Sequence, residues 1–305
     1  MTVDSEVRAA GPSASFIPTS LRRRTVDGAA GVLVWASVAA ALVPLAWILW
    51  TVVAKGLPAV TSSTWFTHSL SGLSSTTAGG GVYHAIIGTL LQGLVCSAIA
   101  IPVGILVAVY LVEYAGPSRL GRVTTFMVDV LAGVPSIVAA LFIYALWVVT
   151  FGFDRSGIAV SLALVLLMVP MVVRSTEEML RIVPGDLREA SYALGVPQWK
   201  TIARVVLPTA LPGIVTGTML AVARVLGETA PLLILVGYAP FINFDLGSGE
   251  MGTLPGLIVD QMNNPSAVGA DRMWGSALTL IGMVAVLSIA ATLLARRSTV
   301  RGGDR

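Results

Sequence analysis

Six apolar stretches occupy most of this chain, and they constrain its fold more than any motif does. They cover roughly 29–54, 84–110, 126–150, 156–173, 210–237 and 274–295. A helix needs about 20 apolar residues to cross a bilayer, where its backbone polar groups must bond within the segment. Charged residues make up 11% of the chain, less than half of the roughly 25% that a soluble domain carries. The sequence therefore predicts an all-α integral membrane protein with six transmembrane helices, of which the fourth is the shortest.

The uneven distribution of positive charge predicts how the chain is oriented. With six spans both termini share one side, and that side holds fifteen Lys and Arg residues against three on the other. Because Lys and Arg accumulate in cytoplasmic loops, both termini are predicted to be cytoplasmic. Residues 1–28 are predicted to form a disordered N-terminal tail, 29–54 the first span, and 296–305 a C-terminal tail.

Few side chains could support catalysis or bind a metal. The chain has one cysteine, Cys96, and two histidines, His68 and His84, which excludes an intramolecular disulfide and argues against zinc or haem. It has no G-x-x-x-x-G-K-[ST] loop to hold nucleotide phosphates. We therefore expect no catalytic residues, no metal and no cofactor, and we expect any ATP hydrolysis to occur on a partner chain. A nucleic-acid partner is not expected either.

The longest cytoplasmic loop, residues 174–208, has the signals of a helical hairpin. Asp186 is predicted to cap a short helix, with Glu189 three residues later as in a capping box. Gly195 is placed to end that helix in a left-handed conformation. The loop is therefore either a hairpin on the membrane surface or a docking element for a cytoplasmic partner.

Two prolines define the second half of this hairpin. Pro197 is suited to the first turn of a second short helix, because a first-turn residue needs no N–H partner. Pro208 is predicted to separate that helix from the fifth span.

The loop resembles the "EAA" signature of the permeases of ATP-binding cassette (ABC) importers: Glu-Ala-Ala, three residues, Gly, nine residues, Ile, one residue, Leu-Pro. The matching positions, with every spacing intact, are Glu189, Ala190, Ser191, Gly195, Val205, Leu207 and Pro208. Ser191 replaces Ala and Val205 replaces Ile, and both changes conserve size. The resemblance implies the type I ABC importer permease fold, in which this loop forms coupling helices that fit a groove on each ATP-hydrolysing subunit.

Further stretches are similar to the phosphate-specific branch of these permeases, and to its PstA type more than its PstC type. They are "GGGVYHAIIGTLL", "IPVGILVAVYLVEYAG", "LAGVPSIVAALF", "RSTEEMLRIVP" and "RVLGETAPLL". The resemblance covers the predicted permease core, residues 79–295. It implies inorganic phosphate as substrate and the cytoplasmic membrane of a prokaryote as location. The partners it implies are two ATP-binding subunits, a second, PstC-like permease and an extracytoplasmic phosphate-binding protein.

The stretch "RVLGETAP" places two charges in the predicted fifth span. A charge at the centre of a membrane helix costs about 2.5–3.5 kcal/mol on insertion scales. Arg224 and Glu228 are therefore expected to have a functional or structural role that offsets this cost. Four residues apart on one helix, they are predicted to pair in the membrane, and the planar guanidinium could bind phosphate bidentately. Arg224, Glu228 and Thr229 are therefore candidates for the substrate pathway, with Pro231 kinking the helix. The alternative is a structural buried ion pair between two helices.

The inner end of the pathway is predicted from the resemblance. It points to Arg174 and Glu177, where the fourth span leaves the membrane, although a solvated helix end would carry the same residues. Asp129 is predicted to be an interfacial residue, and Pro102 and Pro135 are predicted to bend their spans. The outer loop 61–81 is predicted to be flexible and 241–262 partly ordered.

Other functions are compatible with parts of this pattern. An ion-coupled secondary transporter would also bury an Arg–Glu pair, but it usually has an internal inverted repeat, which the sequence does not show. A structural or sensory membrane subunit would explain the docking loop without the buried charges. Sulfate and molybdate permeases share the EAA loop, so the substrate is limited to a small oxyanion.

The charge distribution makes the topology testable. A reporter fused after Arg305 is expected to be cytoplasmic, and one inserted near Ser248 to be external, because fifteen of the Lys and Arg residues lie on the side of the termini. Paired fusions to alkaline phosphatase and green fluorescent protein measure this. A C-terminal phosphatase fusion that is active outside the cell would contradict six spans.

Overall fold

The protein is described by a computed structural model that covers residues 21–300, with side chains for 22–293. Residues 1–20 and 301–305, which include most of the predicted N-terminal tail, lie outside it. All regular structure in the described part is helical, so the all-α class is confirmed. The α-helices are α1 Leu21–Val60, α2 Tyr83–Val109, α3 Arg119–Ala132, α4 Ser136–Ile143, α5 Gly157–Ile182, α6 Gly185–Ala193, α7 Gln198–Thr201, α8 Leu207–Leu226, α9 Ala230–Leu235, α10 Leu254–Met262 and α11 Ala267–Val300. Three π-helical segments extend or join them: Tyr110–Tyr114, Tyr144–Thr150 and Ile202–Val206.

Parts of both predicted tails are helical where the structure describes them. Residues 21–28 are helical and belong to α1, and residues 296–300 belong to α11. The chain forms two compact units, one ending at Thr51 and one beginning at Val52.

The third predicted span is broken. Among the described residues, five helices are long and apolar enough to cross a membrane, and a sixth span exists only if α3 and α4 with its π-helical extension count as one. These two parts meet at 104°. Pro135 stands at the break with ψ of 140°, and a proline also disfavours the helical conformation of the residue before it. The predicted bend at Pro135 is confirmed, whereas α2 runs through Pro102 as one helix.

The fifth predicted span is interrupted as well. Helix α8 ends at Leu226, the chain leaves the helical path from Gly227 to Thr229, and the short α9 follows. Pro231 lies in the first turn of α9, where its missing N–H costs nothing. A kink inside one continuous helix was therefore the wrong prediction.

The fourth predicted span is the centre of the bundle. Helix α5 is longer than the predicted 156–173, and 56% of its most apolar stretch is buried. It packs most extensively against α2 and α8. Gly104 of α2 lies so close to α5 that an added Cβ would meet the Cβ and Cγ1 of Val172 at 2.7 Å. Small residues allow this approach, as is usual between membrane helices.

The outer loop 61–81 is ordered, contrary to the prediction. Trp65 is buried, and its indole Nε1–H donates to Thr279 Oγ1 at 2.9 Å. The buried guanidinium of Arg272 donates to the carbonyl oxygens of Thr77 and Gly79 at 2.7 and 3.0 Å. Contacts with α11, which no local pattern in the loop reveals, thus order this segment. The later loop contains α10, in agreement with its predicted partial order.

The contact at Gly104 generates a stability prediction. Gly104→Ala is expected to destabilise the protein by about 1–3 kcal/mol, because the new methyl group overlaps Val172. At Gly282 of α11 an added Cβ meets no atom within 4 Å, so Gly282→Ala should instead add about 0.5–1 kcal/mol of helix stability. Melting temperatures of both purified variants in one detergent measure the difference, and equal melting temperatures would contradict the close packing.

Candidate translocation path and coupling loop

Arg224 lies just before the break after α8, and Glu228 lies within that break. Arg224 is in the last turn of that helix, and the N–H of Glu228 donates to Val225 O at 3.1 Å just beyond it. Their closest approach, Arg224 Nε to Glu228 Oε1, is 4.0 Å, and the side chains are 69% and 19% exposed. The prediction of a buried pair within one continuous helix is therefore wrong. The contact is too long for a hydrogen bond and leaves the guanidinium accessible.

The other groups near the break are polar but small. Thr229 is exposed and precedes α9, and its side chain makes no capping hydrogen bond. Glu228 lines a small cavity together with Thr89, Gln92 and Thr253. Leu164 and Leu232 also line this cavity, so Glu228 faces a mixed polar and apolar space, while the exposed Arg224 is directed away from the core.

Arg174 and Glu177, which the resemblance assigns to the inner end of the pathway, bond each other, and two further partners join them. Arg174 Nη1 donates to Glu177 Oε2 at 2.8 Å, and Arg181 Nη2 donates to Glu177 Oε1 at 2.7 Å. Arg174 Nη2 also donates to Asp129 of α3. Asp129 is exposed, as expected of an interfacial residue, but its role as a partner of Arg174 was missed. Only the packing of α3 on α5 joins positions 45 residues apart.

The connection between α5 and α8 is shorter than the predicted loop 174–208, because α5 extends to Ile182. Helix α6 begins before the predicted cap residue, Asp186. The helix starts at Gly185 after Pro184, and no side chain caps it, so Asp186 lies in the first turn rather than at the cap. Proline already sets the extended conformation that precedes a helix (φ −57°, ψ 137°). Gly195 has φ of +76°, which confirms its predicted left-handed conformation.

The second half of the predicted hairpin continues into the membrane. Pro197 precedes α7, and α7 leads through the π-helical segment directly into α8. Pro208 lies in the first turn of α8 and does not separate the two, contrary to prediction. The backbone N–H of Leu207 donates to Ile202 O, so the wider π turn lies beside the proline ring that would obstruct an ordinary helix.

The residues of the EAA signature divide between surface and interior. Glu189 and Ala190 are exposed, whereas Ser191 is buried and its hydroxyl is 2.8 Å from the hydroxyl of Thr201 in α7. Leu207 is half-buried, and Pro208 is exposed. Large exposed apolar side chains also mark this loop: Ile182, Leu187, Leu194 and Trp199. A loop with this much apolar surface is typical of a binding surface.

One ion pair at the coupling loop was missed entirely. Arg188 of α6 bonds the carboxylate of Glu113, which lies in the π-helical extension of α2. The two residues are 75 positions apart, so no local pattern reveals the pair.

The family is identified by comparison with known proteins. Residues 100–300 match the family of binding-protein-dependent transport system inner membrane components. The match covers most of the chain and includes the break after α8, the coupling loop and the central helix α5. The chain therefore belongs to this family of membrane permeases.

Several relatives of this chain are permeases named for phosphate transport. Phosphate transport system permease protein PstA 1 of Mycobacterium tuberculosis (strain CDC 1551 / Oshkosh) is 57% identical over 279 residues, covering 92% of this chain and 91% of the relative. PstA of Mycobacterium leprae is 57% identical over 89% of both chains. PstA of Pasteurella multocida is 40% identical over 82% of this chain and 87% of the relative.

Solved structures support the fold. A bacterial ABC transporter that imports alginate, in complex with a periplasmic protein, matches 91% of this chain and 97% of its own at a TM-score of 0.62 and 14% identity. The MetNI methionine ABC transporter in an inward-facing conformation matches 72% of this chain and 94% of its own at 0.56 and 21% identity. Both are ABC transporters, so the importer permease fold is confirmed.

The left-handed turn after α6 generates a further prediction. Gly195→Val is expected to strain the turn by about 1–2 kcal/mol, because an added Cβ meets no atom within 4 Å and only the backbone conformation opposes it. Limited trypsin digestion of the purified protein should then cut faster at Arg188 and Lys200. Gly195→Asn is the matched control, since Asn tolerates this conformation. Equal digestion of Val and Asn variants would contradict the prediction.

Proposed function

We propose that this chain is the permease subunit of an ATP-driven importer that moves inorganic phosphate into the cell. The single observation that supports phosphate as the substrate is the 57% identity with permeases named for phosphate transport. An accessible arginine at the helix break is the group this chain offers to such an anion. Since no nucleotide-binding loop is present in the sequence, ATP hydrolysis belongs to separate subunits.

The exposure of Arg224 supports a role in the pathway. It lies in the last turn of α8, just before the apolar α9, and a charge that faced lipid at the centre of the bilayer would cost about 2.5–3.5 kcal/mol or more. The surface around Arg224 is therefore covered by water or by another protein. A second, PstC-like permease would leave a path between the two subunits, with Arg224 and Thr229 facing it and Glu228 behind them.

The Arg174 cluster supplies the inner end of this path. Asp129 and Glu177 neutralise Arg174 when no substrate is present. A phosphate that reaches it must compete with both carboxylates, so Arg174 can bind the anion only weakly and release it to the cytoplasm. Release is what an importer needs at its inner end.

The coupling loop is the docking site for one of the two ATP-binding subunits, and the second permease docks the other. Leu194 is 84% and Trp199 62% exposed, and such side chains gain free energy when a partner covers them. Glu189 and Ala190 form the exposed part of the signature, while Ser191, Gly195, Leu207 and Pro208 maintain the loop and its return to the membrane.

The remaining partners complete the importer. An extracytoplasmic phosphate-binding protein delivers substrate to the ordered outer loops, and both termini are cytoplasmic. Sulfate or molybdate is the alternative substrate. Stimulation of the ATPase of the purified complex by each oxyanion in turn distinguishes them, and stimulation by phosphate alone is the expected result.

Arg224→Gln is expected to lower phosphate uptake at least tenfold, because no cation then replaces the hydration of the anion at the helix break. Assembly should be unaffected, since a largely exposed ion pair contributes only about 0–1 kcal/mol. Uptake by intact cells and the yield of complex with its ATP-binding subunits measure the two effects. Arg119→Gln, which removes an exposed cytoplasmic arginine, is the matched control.

The double variant Arg224→Gln with Glu228→Gln separates the pathway role from a structural one. If the pair serves only to balance charge, the double variant regains uptake. We expect no recovery, and a return of uptake would rule out Arg224 as a substrate-pathway residue.

A further inference from the structure

The ion pair between Glu113 and Arg188 is the most extensively bonded charge pair among the described residues. Arg188 Nη2 and Nε donate to Glu113 Oε1 at 2.7 and 3.2 Å. The same guanidinium donates through Nη1 to Val183 O at 2.8 Å and through Nη2 to Leu180 O at 3.0 Å. The carboxylate side chain is 5% exposed and the arginine 18%. Arg188 thus bonds two parts of the chain at once.

These bonds join the coupling loop to two membrane helices. Glu113 lies in the π-helical extension of α2, Leu180 lies in the last turn of α5, and Arg188 lies in the middle of α6. In addition, Gln198 Nε2, at the start of α7, donates to the backbone oxygen of Glu113 at 2.7 Å. The ion pair therefore connects α2 and α5, and the backbone of Glu113 is also bonded to α7, which continues into α8.

Helix α6 has few other contacts with the membrane helices α2 and α5. Ser191 is the single buried residue among those of α6, and the packing of that helix is chiefly against α7 and Ile202–Val206. The Ser191–Thr201 contact also faces α7. Arg188 therefore provides the ion-pair link from α6 to α2, and it adds side-chain bonds to the end of α5, which precedes α6 by two residues.

We propose that the Glu113–Arg188 pair is the joint through which movement of α6 reaches the central helices α2 and α5. This inference rests on the proposed function, in which ATP-binding subunits move α6. An apolar contact would allow α6 to slide, whereas a planar guanidinium held by a carboxylate and two carbonyls fixes both distance and orientation. The pair positions the loop and does not touch substrate.

Transport per ATP in the reconstituted complex tests the joint. The complex would contain both permeases, the ATP-binding subunits and the phosphate-binding protein in lipid vesicles. Arg188→Gln and Glu113→Gln are each expected to reduce phosphate moved per ATP at least tenfold. The double variant should be no worse than either single variant, because both residues act through one interaction. Arg122→Gln, at an exposed cytoplasmic arginine, should leave the ratio unchanged.

A spectroscopic readout tests the link without substrate. A nitroxide label at Ala193→Cys, on the exposed end of α6, would report how tightly the helix is held in the assembled complex. The label is expected to become more mobile in Arg188→Gln and to remain unchanged in Arg122→Gln. Cys96 is buried and shielded from the reagent.

The outcomes separate this inference from the proposed function. Three results would each overturn the joint. They are single variants that move as much phosphate per ATP as Arg122→Gln, losses that add in the double variant, and a nitroxide whose mobility is unchanged in Arg188→Gln. If the Gln variants do not assemble, Arg188→Lys is the variant to measure, because it keeps the positive charge but lacks the planar set of guanidinium donors. A normal amount of phosphate moved per ATP in this variant would overturn the proposal. A wild-type complex that moves no phosphate would refute the proposed function, while label mobility would still test the joint.

Discussion

The close packing of α2 and α8 on α5 is the constraint on which the rest of the structure depends. Lipid tails are as apolar as the helix surfaces, so helices in a membrane gain little from hiding apolar area and associate by close contact instead. Gly104 of α2 permits this contact with Val172 of α5. Gly213 and Gly217 of α8 permit it with Met179 and Ser175 of α5, which an added Cβ would meet at 2.2 and 2.5 Å. Because both neighbouring helices hold α5 closely, its two ends become fixed points for the site and for the coupling loop.

The two interrupted spans both pack against α5. The break at Pro135 yields α4, the break at Gly227 yields α9, and these two short helices pack against each other and against α5. Ala140 and Ile143 of α4 share a buried cluster with Leu232 and Leu235 of α9. Irregular backbone at membrane depth is tolerated only where protein or water covers it. The break at Gly227 is therefore placed beside a packed core, with Arg224 on its open side.

The other end of α5 carries the charges. Arg174, Glu177 and Arg181 follow one another along its last turns and bind each other or Asp129, and Leu180 accepts a hydrogen bond from Arg188 between them. The inner end of the proposed path and the link to the coupling loop are thus built on the same two turns of one helix. This arrangement gives the proposed importer a short route from ATP hydrolysis to the pathway.

The amino-acid sequence by itself determined the features that depend on composition and local pattern. Apolar stretches of about 20 residues made the protein all-helical and membrane-spanning, because a helix of that length crosses lipid with its backbone groups bonded within the segment. The positive φ of Gly195 and the break at Pro135 followed from the conformational limits of single residues. Tertiary structure alone decided which charges meet. Arg224 and Glu228 are four residues apart yet loosely paired, because the helix ends between them, while Glu113 and Arg188 bond across 75 residues. Residues distant along the chain meet only when helices pack, and the geometry of that packing is not encoded in any local stretch.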